Sequence, residues 1–290
     1  MEATSLHTQL QLDQVVGEFE AGRIAQGVLL LAGMLDTAAD GAERIQALRD
    51  VLASHPLRRF LSADPALHLA ATNMPQALAL IASGAMPTGL SRCGDEVFRA
   101  VAGLGFARGL QERRALGAAA LEPAWRRGER IALIDCGELG ELDRLHGTAL
   151  DNIALRHSDA AVAAMLQQQH GLSDFSPAGA RLDLVLASGV ADLRSAAELI
   201  QWLIAIAARL APQGVLYLSS FTPGHLGCGW QTACLGRDLV CHDETGLERC
   251  AASAGLTIRH MRGASGSLIW GELRHAAAAQ ANLFGRGHHD

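Results

Sequence analysis

The chain has 290 residues, 49% of them hydrophobic and 19% charged, so it can build a large buried core and is not intrinsically disordered. Thirty acidic residues against 24 basic ones give a formal charge of −6, which argues against nonspecific binding to nucleic acid. All the basic residues are arginine, so Schiff-base chemistry on a lysine amine and a lysine-dependent phosphate loop are both excluded.

The opening segment MEATSLHTQLQLD has no positive stretch followed by an apolar run, which predicts no secretory signal. The apolar run 28–35 is too short for a membrane span. Six cysteines without a CxxC pair read as reduced thiols of a cytoplasmic protein. Residues 1–122 read as an all-helical region: Leu12, Val15, Val16 and Phe19 recur at helical spacing, as do Ile45, Leu48, Val51 and Leu52. His55-Pro56 and Asp64-Pro65 are breaks, because the residue before proline is driven out of the α region. A longer helical segment runs from Asp95 to Leu116, interrupted by glycines. Such a region suits a lid, a substrate wall or a homodimer surface.

From Pro123 the pattern changes, and 123–275 reads as one domain. Ile131–Ile134 is a buried strand closed by Asp135-Cys136-Gly137. RLDLVLA (181–187) and VLYLSSF (215–221) are further strands, with a helix at 196–210 before the second of them. Residues 256–262 and 267–273 flank GASG as an antiparallel hairpin, and 276–290 reads as a flexible tail. Strands alternating with helices predict an α/β fold with a mostly parallel sheet covered on both faces.

In such a sheet ligands sit at the carboxyl ends of the strands, where strand order reverses. Gly137 lets backbone approach a ligand there, and the following amides can face a polar group. The segment DCGELGE lacks GxGxxG, which disfavours a nicotinamide dinucleotide. Cys228, Cys234, Cys241, His242 and Cys250 match no common zinc spacing. Trp202 and Trp270 fit core positions, Trp230 fits a pocket wall or the core, and Asp183 inside a strand requires a partner.

The glycine turn, the LDLVLASGV strand, the LAPQGVLYLSSF segment and the terminal hairpin together resemble class I S-adenosylmethionine-dependent methyltransferases over residues 130–273. A narrower likeness is to the methyltransferases assigned to 3-hydroxypalmitic acid methyl ester biosynthesis. CGELGE resembles their CGHLRE, ASGVADL (187–193) their AAGLYDYL, SSFTPG (219–224) their NF-x-P segment, and LVCHDETGL (239–247) their LIYRDEAEL. HPLRRFLSADP (55–65) resembles their HPL…DP segment. The chain departs from them at NMPQALALI (73–81), where they carry a KPRGYAGDA-like stretch. It departs again at GWQTACLGRDLVCH (229–242), where Thr232 replaces an acid and Cys241-His242 a Tyr-Arg pair.

The resemblance implies a Rossmann-like methyltransferase sheet binding S-adenosylmethionine through Cys136, Gly137, Glu138, Asp151, Asp174, Ser188 and Gly189. Two acids compete to grip the ribose after the second strand, Asp151 and Asp159, with Asp151 preferred because it leaves a tighter first helix. The expected acceptor is small or lipid-like, a carboxylate being one option. A hydroxyl or amine acceptor would need a general base, for which His225 and His242 are the candidates. The competing reading is a degenerate, noncatalytic relative that binds a ligand or a partner protein.

Overall fold

The computed structural model describes residues 2–39, 41–137, 139–145, 150–174 and 181–276. The chain forms two compact units, one from 1–111 with 224–239, the other from 112–223 with 240–290. The division therefore falls inside a helix at 111/112, not at 122, and the segment 224–239 belongs with the amino-terminal helices.

The first unit holds α1 (Glu2–Glu20), α2 (Ile24–Ala39), α3 (Ala42–Ser54), α4 (Arg58–Leu61), α5 (Pro65–Ala70), α6 (Met74–Ser83), α7 (Arg92–Ala102) and the start of α8 (Gly105–Arg126). Of the expected stripes, Leu12, Val15, Phe19, Ile45 and Leu52 are buried and Val16, Leu48 and Val51 half-buried, and Val28, Leu31 and Leu35 of α2 join them in the core. His55, just before Pro56, is extended and ends α3. Asp64 opens α5 by accepting hydrogen bonds from the Ala66 and Leu67 amides, with Pro65 in the first turn. The long helix expected at 95–116 is two helices, because Gly103 terminates α7. Asp36 on α2 explains why 224–239 joins this unit: its carboxylate accepts from the Gly227 and Gly229 amides, both at 2.8 Å, at the start of a short helix spanning Cys228–Ala233.

The second unit is built on β1 (Ile131–Ile134), β2 (Ile153–Arg156), β3 (Ser173–Asp174), β4 (Leu182–Ala187), β5 (Leu210–Phe221), β6 (Leu256–Arg262) and β7 (Leu268–His275). They form one seven-stranded sheet in the order β3-β2-β1-β4-β5-β7-β6. All neighbouring pairs are parallel except β5 with β7 and β7 with β6, the expected terminal hairpin. α9 (Ala160–His170), α10 (Ala196–Ala207), the Cys228–Ala233 helix as α11 and α12 (Glu244–Ser253) complete the chain. β5 begins at Leu210, so that leucine, expected on the helix stripe, opens the strand instead.

Both faces of the sheet are apolar, which is why β1 is a continuous hydrophobic run. Ala132 and Ile134 pack with Val185, Leu199, Leu203, Leu247 and Ile269 on one side. Ile131 and Leu133 pack with Leu121, Ile153, Leu155, Leu166 and Leu186 on the other. Fully burying one such leucine or isoleucine contributes about 1.5–3 kcal/mol. Asp183 is paired as expected, with the Arg130 Nε at 3.1 Å. Trp270 lies in the core and Trp202 packs against it half-buried.

Candidate functional site

The chain leaves β1 toward β2 and later returns to place β4 on its other side, so strand order reverses between β1 and β4. The turn out of β1 carries three left-handed residues in five, Asp135 (φ 48°), Gly137 (φ 64°) and Leu139 (φ 57°). Two of them have side chains, for which this conformation is costly and typical of functional sites. Among the described residues other than its chain neighbours, no atom lies within 4 Å of the place a Cβ on Gly137 would occupy, so the backbone there faces open space.

Around this turn the side chains form a buried polar network. Asp135 accepts a hydrogen bond from the Ser158 amide at 2.6 Å, and its other oxygen faces the Arg194 guanidinium at 3.6 Å. The Cys136 thiol donates to the Leu186 carbonyl at 3.0 Å, and burial pushes its pKa up to about 12. The Ser188 hydroxyl donates to Glu141 at 3.3 Å, while the Ser188 carbonyl accepts from the Ser219 hydroxyl. Burial raises the Glu141 carboxyl to about 7 despite its hydrogen bonds and the fields of Arg113 and Arg114. Arg113, from α8, is ion-paired with Asp192 and lies over the Phe221 ring. Asp192 also accepts from the Phe221 amide at 2.8 Å.

Cys136, Gly137, Ser188 and Gly189 thus lie together where β1 and β4 end, and Glu138 lies outside the described residues. The placement of Asp151 is a correction. It is exposed in the turn before β2, and the four residues of that strand put it on the order of 13 Å from the carboxyl edge. The acid that follows β2 is Asp159, one of whose oxygens caps α9 by accepting from the Ala161 and Val162 amides. Asp174 closes β3, exposed, and accepts from Gln167 at 3.4 Å.

The two histidines are separated by the division of the chain. His242, in the second unit, is buried, its ring Nε2 2.9 Å from the Arg194 carbonyl and its amide bonded to the Ser220 hydroxyl. His225 is buried in the first unit, 3.4 Å from the Gln231 amide nitrogen. Within that unit Asp64 Oδ2, Trp230 Nε1 and Gln231 Oε1 are buried without a hydrogen-bond partner. Burial lifts the Asp64 carboxyl to about 6. The Cys234 thiol rises to about 12 through burial and then the nearby Asp64 charge. Asp64 and Cys234, 170 positions apart in the sequence, therefore lie close together within the first unit. Among the described residues no three His, Cys, Asp or Glu are grouped to hold a metal ion, and no helix is long and apolar enough to cross a membrane.

Arg113, Glu141 and Asp192 were not among the sequence candidates. Glu141 stood in the DCGELGE segment, but its burial depends on α8. The pairing of Arg113 with Asp192 spans 79 positions, and no local pattern announces it.

Strand order, reversed β7 and the turn at Asp135–Gly137 define a Rossmann-like α/β fold. No family model and no curated protein matches the sequence. Among solved structures, a possible exported protein from Bordetella parapertussis aligns at 17% identity and a TM-score of 0.55, covering 88% of this chain and 98% of its own. The mitomycin 7-O-methyltransferase MmcR aligns at 17% identity and a TM-score of 0.48, covering 95% and 100%. The magnesium protoporphyrin IX methyltransferase of Synechocystis PCC 6803, solved with bound SAH, aligns at 15% identity and a TM-score of 0.42, covering 59% and 87%.

Proposed function

We propose that the chain is an S-adenosylmethionine-dependent methyltransferase acting on a small or lipid-like acceptor, with a carboxylate favoured. The observation that carries the reading is the left-handed turn out of β1, open above Gly137, at the reversal point of a sheet ordered 3-2-1-4-5-7-6. The residues present fit the cofactor. The Gly137 turn offers close backbone approach, Asp159 keeps one oxygen outside its helix cap for a ribose hydroxyl, and the Ser188–Gly189 turn closes the opposite side of the β1–β4 reversal.

The cofactor, when bound, supplies an activated methyl group on a sulfonium. What this chain contributes is alignment of the acceptor with that group and exclusion of water. A carboxylate acceptor is already ionised near neutral pH and needs no base. That agrees with the engagement of both candidate histidines, His242 by the Arg194 carbonyl and His225 by Gln231, which makes them positioning side chains in this reading.

One observation favours a second reading, a noncatalytic binding protein: both Asp135 oxygens and the Cys136 thiol are already engaged within the protein. Calorimetric titration with S-adenosylmethionine, followed by a labelled-methyl assay on carboxylate-bearing acceptors, separates the two. Binding with transfer supports the enzyme, and binding without transfer supports the second reading. Absence of binding removes the cofactor and leaves the fold.

A further inference from the structure

Two oppositely charged groups at the carboxyl edge are buried beside the Ser188–Gly189 turn, and one of them keeps a donor that no protein group takes. Arg113 is buried, with one terminal nitrogen on Asp192 and its plane 4.7 Å from the Phe221 ring centre. Its Nε is buried with no partner. The other terminal nitrogen stands 4.0 Å from where a Cβ on Gly189 would be, so the lack of a side chain at 189 keeps that approach clear. Glu141 belongs to the same network. Its Oε1 accepts from Ser188, and Gly117 on α8 leaves room for its stem, since a Cβ at 117 would stand 2.6 Å from the Glu141 Cγ. Burial outweighs the pull of Arg113 and Arg114, so this carboxyl lacks a full counter-charge.

The neighbouring acids are already committed: Asp192 to Arg113 and the Phe221 amide, Asp135 to the Ser158 amide and Arg194. A buried cation with a spare donor and a buried carboxyl short of positive charge, both beside the Ser188–Gly189 turn, complement a zwitterion. We infer that Arg113 and Glu141 hold the α-amino-acid end of the cofactor, Arg113 taking its carboxylate and Glu141 its ammonium group. The assignment rests on the methyltransferase reading above and goes beyond it by naming what recognises the part of the cofactor distant from the adenosine.

The test compares S-adenosylmethionine with methylthioadenosine, which keeps the nucleoside and the sulfur but has no amino acid. Binding of both is measured by calorimetry on the wild-type chain and on Arg113→Gln and Glu141→Gln. Each substitution is expected to weaken S-adenosylmethionine binding by about tenfold to a hundredfold, the cost of one charge-assisted hydrogen bond, and to leave methylthioadenosine within about twofold. Equal losses toward both ligands, or none toward either, would overturn the inference. Should Arg113→Gln not fold, Arg113→Lys keeps the charge facing Asp192 but removes the spare Nε donor, and it enters the same comparison. A wild-type chain that binds both ligands equally well removes the inference alone, whereas one that binds neither removes the cofactor reading itself.

Discussion

At the carboxyl edge of the sheet, Asp192, Asp135, Ser188 and Ser219 each find a partner on another segment, so the network ties β1, β4 and β5 together. In the helical unit, Asp64 Oδ2, Trp230 Nε1 and Gln231 Oε1 are equally buried and have no partner. A buried polar group that is paired is costly to remove, because its partner is stranded; one that is unpaired is costly to keep. The paired groups of the first region and the unpaired atoms of the second should therefore answer substitution with opposite signs.

The largest effect is expected from Asp192→Ala. It strands the Arg113 guanidinium and the Phe221 amide and should cost about 3–5 kcal/mol in urea denaturation. A loss below about 1 kcal/mol would break the comparison at its strongest point.

Next comes the dependence of stability on pH. Glu141 is raised from 4.5 to about 7 and Asp64 from 3.8 to about 6, so the folded chain holds these protons more tightly than the unfolded one. Their contribution is fully present below about pH 4 and is lost as pH climbs through about 6 and then about 7. Glu141→Gln should flatten the upper part of that decline, by on the order of 2–3 kcal/mol at pH 8, and Asp64→Asn the lower part. Parallel wild-type and variant profiles from thermal melts across pH 4–8 would contradict the assignment.

Gly189→Ala sharpens the contrast further. A Cβ there would stand 2.8 Å from the Asp135 carbonyl oxygen, a backbone atom that cannot swing aside. A cost of about 1–3 kcal/mol is expected, with loss of S-adenosylmethionine binding in calorimetry. The smallest effect belongs to the helical unit, where Trp230→Phe removes an unpaired donor and keeps an aromatic ring in the core. Its stability should stay within about 1 kcal/mol of wild type, on the stabilising side, and a clear destabilisation would show that the indole nitrogen has a use.

How much of this could be read from the residues follows the range of the interactions. β1 was legible over Ile131–Ile134 because both of its faces are buried and the run is uninterrupted. The hairpin was legible too, since its turn and its strands are contiguous. β2 and β3 were not: four and two residues are too few for a pattern, which is why Asp151, a residue that precedes β2, reads in the sequence as one that follows it. The transfer of 224–239 to the helical unit depends on Asp36, nearly two hundred positions away. Glu141 was visible as a letter in a turn motif, but its burial against Gly117 was not.

The two suppressed thiols, Cys136 among the strands and Cys234 among the helices, differ in one respect: Cys136 is buried and Cys234 is partly exposed. With pKa values near 12 both are almost wholly protonated at pH 8, and Cys136 also ignores an alkylating reagent until the surrounding packing opens. Mass spectrometry of timed alkylation would thus record how often the sheet unit breathes, with Cys234 as the faster internal reference. Slower labelling of Cys136 alone on adding a nucleoside would locate its grip without a crystal.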